Sequence, residues 1–176
     1  MAVRKKPKLK PITTIEMEVA IAEMFGIRQH IIVPNISWGF NSHEIDLFLI
    51  KKSGVAVEVE IKRTKSDFLA DFKKGHNHKD RLNRITEFYY AFPENLIEKC
   101  IDLIPEHAGI ISCRRWVDYK KEDRVSASIE RRPKRIKGAR KLTEEEQLKV
   151  ARLGCMRIFN LKSKIIKLQK NGKTKI

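Results

Sequence analysis

The sequence predicts an α/β domain in which a mixed β-sheet is flanked by helices. Three observations predict it. Helical and strand-like periodicities follow one another in the order helix, strands, helices, strand, helix, strand. One pair of strands alternates apolar and polar residues so cleanly that only one register fits. A chain of 176 residues with 41% hydrophobic content is enough for one cored domain with extensions.

Residues 1–12 read as a basic tail. Thr13 and Glu16 have capping-box spacing and open a helix that ends near Gly26. Residues 29–33 read as a strand and 34–41, beginning with Pro34, as a loop. Strands over 44–50 and 55–62 flank a turn at 51–54, and helices are expected over 66–74 and 79–85. The run 88–92 reads as a buried strand stopped by Pro93, followed by a helix over 94–103 and a strand over 109–113. Residues 114–119 and 125–131 suit a hairpin. Residues 132–141 read as a basic linker, and Thr143 with Glu146 caps a long helix towards Gln169. Gly154 inside that helix costs about 1 kcal/mol relative to alanine, so a break is expected there. The expected organisation is a tail at 1–12, a core at 13–131, the linker at 132–141 and a basic helical extension at 142–176.

Charge is concentrated at the ends. The net +16 comes from 38 Lys and Arg against 22 Asp and Glu. Residues 1–12 hold five basic side chains and no acid, and residues 131–176 hold sixteen against three glutamates. The middle keeps 17 basic and 19 acidic residues and is nearly neutral. Basic arms on a neutral globule suit a polyanion, since each cation meeting a phosphate releases condensed counterions. Solubility alone and an anionic membrane surface are the competing readings of the charge. No apolar run reaches the roughly 18 residues of a membrane span. Three cysteines without a CxxC pair, and no signal-like apolar stretch at the start, point to a reduced, soluble, cytoplasmic protein.

The hairpin at 44–62 carries the acids. Val55, Val57, Val59 and Ile61 share one face; Glu58, Glu60 and Lys62 take the other. In the preceding strand Ile45, Leu47 and Leu49 face together. A three-residue loop, 52–54, with Gly54 at positive φ, sets Ile45 against Ile61, Leu47 against Val59 and Leu49 against Val57. Asp46 then falls opposite Glu60, where like charges repel. Screening by water, a neighbouring lysine or a hard divalent cation would offset that cost. A solvated acidic face is the plainer reading of the same pattern. On a helical wheel Glu18 falls on the apolar side of the first helix, among Ile15, Ile21, Ala22 and Phe25. An acid there needs an arginine partner or a cleft at the core's edge, and a third carboxylate at the Asp46–Glu60 site is the preferred reading.

Glu18 on a first helix, Asp46, and Glu60-Ile61-Lys62 at the end of an apolar strand resemble the PD-(D/E)XK nuclease superfamily, with its restriction-endonuclease-like core. The continuation through Ser66-Asp67-Phe68 and Glu87 to Pro93 is similar to the MmcB-like DNA-repair proteins within it. The likeness covers about residues 15–113, and Asp46 follows Ile45 where the motif often has proline. The resemblance implies a metal-dependent DNA endonuclease acting in repair, recombination or defence. In it Asp46, Glu60 and the Ile61 carbonyl would hold Mg²⁺ (or Mn²⁺), Glu18 would assist, and Lys62 would position water and phosphate. Glu58 is an extra acid that competes with Glu60 as ligand.

Lys73, Lys74, His76 and His78, with Arg132, Lys134 and Arg135 in the linker, are the expected contacts to flanking phosphates. Trp38 is the expected contact to a nucleobase. Phe88, Tyr89, Tyr90 and Phe92 read as core, and Cys100 and Cys113 as small buried apolar residues. DNA is the expected partner, RNA being compatible with the same features, and the long helix suits a homodimer contact. Two alternatives stand beside the nuclease: a catalytically inactive DNA-binding protein of the same fold, and a structural partner whose basic helix docks on an acidic protein. Removing 1–12 and 132–176 is expected to leave the core folded.

Overall fold

The computed structural model describes residues 10–36, 44–73 and 83–170. It is an α/β fold built on a six-stranded mixed sheet in the order β1-β2-β3-β4-β5-β6. The elements are α1 (Thr14–Phe25), β1 (Ile31–Ile36), β2 (Ile45–Ile50), β3 (Ala56–Ile61), α2 (Lys65–Lys73), β4 (Ile85–Pro93), α3 (Glu94–Cys100), β5 (Gly109–Val117), β6 (Asp123–Arg131) and α4 (Glu144–Lys170). Strands β3, β4 and β5 are parallel; the other neighbouring pairs are antiparallel. Among the described residues no helix is long and apolar enough to cross a membrane.

Helix α1 forms as its sequence requires. Thr13 accepts from the Glu16 N–H while the Glu16 carboxylate accepts from the Thr13 N–H at 2.7 Å, and Gly26 ends the helix at φ 91°. The β2–β3 hairpin has the expected register, Leu47 against Val59 and Leu49 against Val57, with Gly54 at φ 81°. Met17 and Ile21 of α1 pack on Leu47, Leu49, Val57, Val59 and Ile61 to form the core of one sheet face. On the opposite face Phe68 of α2 meets Tyr90 and Phe92 edge-on, at 5.1 and 5.2 Å between ring centroids. Phe88, Tyr90 and Phe92 are therefore core, as are Cys100 and Cys113.

Several boundaries differ from the sequence expectation. Strand β1 runs through Pro34, which an edge strand tolerates because its missing N–H leaves no ladder bond unmade. Ile45 packs with Phe48 and Ile50 rather than with Leu47, Leu49 and its expected partner Ile61. Asn35, at φ 52°, turns β1 there, so that Ile36 and its partner Ile45 join the opposite core. Asn83 and Arg84 form a turn and Ile85 opens β4, so the end of the helix expected over 79–85 is not helical; residues 79–82 lie outside the described residues. The helix over 94–103 is α-helical only to Cys100 and ends in a 3-10 turn at Ile101–Leu103. The two expected strands at 109–113 and 114–119 are one strand, β5.

The linker is a strap. Lys134, Ile136, Arg140 and Leu142 donate their N–H groups to the carbonyls of His107, Thr86, Asn83 and Gly54, and Leu142 is buried. Helix α4 then packs Val150 into the core beside Val33. It does not break at Gly154. A Cβ at that position would stand 3.0 Å from a Val33 methyl, so the glycine permits the close approach of helix to strand. A chain cut at 132 consequently loses core residues and is expected not to fold, which overturns the expected tolerance to that deletion. Gly154→Val is expected to cost about 1–3 kcal/mol by overpacking against Val33, read by chemical denaturation.

Arg115, 9% exposed, ties the N-terminal segment down. Its guanidinium donates to the carbonyls of Lys10 and Pro11 at 3.0 and 3.3 Å and to the Glu16 carboxylate at 2.7 Å. The Thr13 N–H, and then Arg115, hold the Glu16 carboxyl down at about 2. Its contribution to stability is present above pH 4.5 and is lost as pH falls towards 2. Arg115→Ala is expected to cost about 1–3 kcal/mol in denaturant unfolding, and to expose the chain at Lys10 to trypsin.

Candidate functional site

The acids gather where β2 begins and β3 ends. The ladder between these strands stops at Leu47 and Val59. Beyond it the Asp46 carboxylate accepts the Ile61 N–H at 2.8 Å, in the place where the next stretch of ladder would run. The local turn of β1 and β2 at Asn35 and Ile45 aims Asp46 at the end of β3 rather than squarely onto one face. Glu60, on the face opposite the Val57–Val59–Ile61 core, is 8% exposed. The Lys62 ammonium lies 3.0 Å from it and is equally buried. Glu58, two residues earlier on the same face, is fully buried. Glu18 reaches the site from α1, half-buried, and accepts a hydrogen bond from the Asn35 side chain at 3.5 Å.

The electrostatics link these groups. Burial pushes the Glu60 carboxyl up from 4.5 to about 8; the Asp46 charge adds to the rise, Lys62 opposes it, and Glu58 adds a little more. Burial likewise raises Glu18, relieved by Asn35 and reinforced by Asp46. Asp46 is thus the common neighbour of both glutamates. Their like-charge strain is what a divalent cation relieves, and carboxylate oxygens are the donors that Mg²⁺ prefers. Among the described residues, no group of three or more His, Cys, Asp or Glu side chains is drawn together closely enough to hold a metal ion. The donor set fits an ion bound through one or two carboxylates, with water and phosphate completing its shell.

The structure thus brings together Glu18, Asp46, Glu60, Ile61 and Lys62 at one end of the sheet. It does not bring Arg132, Lys134 and Arg135 there. The strap that carries them crosses the opposite end, beside the loops before β3, β4 and β5, and Lys134 pairs with Glu106 at 2.7 Å. Lys73 closes α2, with its side chain outside the described residues, as are Trp38, Lys74, His76 and His78. Two residues of this region were not singled out from sequence. Asn35 joins Glu18 to α4, its carbonyl accepting from Arg157, and nothing local in the sequence marks it. Trp116 stands 43% exposed on the part of β5 that runs past the site, and the signal for it was its alternation with Arg114 in a strand.

No family model matches the chain, and no curated protein matches it. Among solved structures it is similar to the SPO1766 protein of unknown function from Silicibacter pomeroyi, at 16% identity and a TM-score of 0.56, over 96% of this chain and 97% of that one. At that identity the likeness concerns the fold alone.

Proposed function

We propose that this protein is a metal-dependent DNA endonuclease of the PD-(D/E)XK type, acting in repair, recombination or defence. The observation that carries the proposal is the buried Glu60–Lys62 pair beside Asp46, at the end of a strand and under like-charge strain. The element order α1-β1-β2-β3-α2-β4 agrees with the core that the sequence resemblance implies. The distal part of α4 supports a polyanionic partner, since residues 155–170 carry five cations and no acid.

Asp46 and Glu60 would hold Mg²⁺, with the Ile61 carbonyl as a further ligand and Glu18 reaching it through water. When bound, the ion lowers the pKa of a coordinated water and stabilises charge on the scissile phosphate. The burial of Glu60 and Lys62 strengthens the electrostatic contacts they make. Lys62, held by Glu60, presents its ammonium to a phosphate oxygen and orients the attacking water. Its burial and its contact with Glu60 fix its position before reaction.

A second reading, a nuclease-fold DNA-binding protein without catalysis, is favoured by the absence of a gathered three-donor cluster among the described residues. Nicking of supercoiled plasmid in Mg²⁺ or Mn²⁺ separates the two. DNA binding with no nicking in either metal selects the second reading, and no DNA binding at all rejects both.

A further inference from the structure

The paired rows of the sheet place a second feature at the end that carries the candidate site. Ile61 lies level with Ala91, and Ala91 with Ile111. Strand β4 stops at Pro93, level with Cys113, whereas β5 and β6 continue together to Val117 and Asp123. Val117 is therefore six residues past the end of β3, or about 20 Å at the usual strand rise. The outer halves of β5 and β6 form a two-stranded arm beyond the sheet.

The two faces of this arm differ. Arg115, on the face towards α1, is held by Glu16 and by the carbonyls of Lys10 and Pro11, so the arm is braced from behind. Arg114 and Trp116 point the other way, onto the face that carries Glu60 and Tyr90, and Arg114 stands 3.6 Å from Glu94 at the start of α3. Their partners across the pair, Ser126 and Arg124, share that face. Arg114 is exposed and loosely paired, and Trp116 shows 43% of its surface. Arg124 is held by Asp118 and Glu122 at 3.2 and 2.6 Å, which leaves Arg114 as the freer cation of the face. An exposed large aromatic on a braced ribbon beside arginine and serine suits a partner with π-faces and phosphates.

We propose that the β5–β6 arm is a second DNA contact, which holds the duplex flanking the site of cleavage; this rests on the endonuclease reading above. Counting strand spacings and rises, Trp116 lies roughly 16 Å from Lys62, the length of about five base steps of B-form DNA. A two-stranded ribbon fits the major groove. Arg114 then meets backbone phosphate, and Trp116 packs on a base or sugar. The arm contributes affinity and placement, and takes no part in the chemistry.

The test compares the full-length wild type with Trp116→Ala, Trp116→Phe and Arg114→Ala/Trp116→Ala on a 30-base-pair duplex and on supercoiled plasmid, each variant checked by thermal melting. The double variant is expected to bind duplex at least tenfold more weakly and to flatten the salt dependence by about one unit of slope for the lost arginine. It is expected to raise KM for nicking while kcat stays within twofold, and Trp116→Phe is expected to restore most of the affinity. Unchanged affinity and slope in a folded double variant, with a wild type that binds and nicks, overturns the arm and leaves the endonuclease reading standing. A wild type that binds DNA without nicking rejects that reading, yet the affinities still decide the arm. A wild type that binds no duplex overturns both.

Discussion

Lys62→Ala is expected to lower Mg²⁺-dependent nicking of supercoiled plasmid by about 10²–10⁴-fold, the range usual for loss of a positioned proton-transfer or electrostatic group. Asp46→Asn is expected to fall at least as far, because it weakens the ion's site and also the acceptor that the Ile61 N–H uses. The two defects should differ in kind. Raising Mn²⁺ is expected to recover part of the Asp46→Asn activity and none of the Lys62→Ala activity, since only the former is a defect of metal affinity. Both variants are expected to keep duplex affinity close to that of the wild type. Nicking that survives undiminished in both assigns the reaction to other residues or to a contaminant.

Glu60→Gln is expected to change how stability depends on pH in metal-free buffer. In the folded chain the Glu60 carboxyl titrates near 8; in the unfolded chain it titrates near 4.5. Between those values the folded state holds a proton that the unfolded state releases, so stability falls as pH rises through the window. The full contribution is present below pH 4.5 and is lost by about pH 8. A shift of this size corresponds to a few kcal/mol, and each kcal/mol lowers the melting temperature by roughly 2–4 °C in a chain of this length. Glutamine cannot ionise, so the variant's decline from pH 5 to 8 should be shallower by that amount. The slope is the quantity to compare, because glutamine also alters the hydrogen bond to Lys62 at every pH. Mg²⁺ should raise the melting temperature of the wild type near pH 7.5 and have much less effect on the variant. Equal slopes would mean that Glu60 is ionised in the fold by some other means.

Much of this site was legible in the sequence, for reasons that can be named. The register of β2 and β3 followed from a two-residue period, because a slip of one would have turned every apolar side chain to the wrong face. Glu18 stood out because a carboxylate among apolar wheel positions has to find a partner, and the structure supplies Asn35 and the neighbourhood of Asp46. The capping boxes at Thr13 and Thr143 were local bonds between residues three apart, and both formed. Gly154 was misjudged for the complementary reason. Its propensity cost is local, while the gain comes from Val33, 121 residues away in the chain, which needs the missing Cβ.

The basic segments show the same division. Counting charges located them at the two ends of the chain, but counting cannot say which end of a sheet a strap crosses. The carbonyls of Gly54, Asn83, Thr86 and His107 decide that, and they draw Arg132, Lys134 and Arg135 away from Glu60. Trp116 was read only as one residue of a hairpin; its meaning depends on β4 ending four rows before β5 does.

What the sequence determined by itself was much of what neighbours a few residues apart set: the type of most elements, the helix caps, the register of Leu47 and Leu49 against β3, and the face shared by Val57, Val59 and Ile61. Tertiary structure alone decided the aim of Asp46 at the Ile61 N–H, the strained ionisation of Glu60, the seating of α4 on β1 and the reach of the β5–β6 arm. Each of these depends on distances between segments far apart in the chain. Such distances are fixed by burial and by hydrogen bonding of the whole sheet, for which no local period carries a signal.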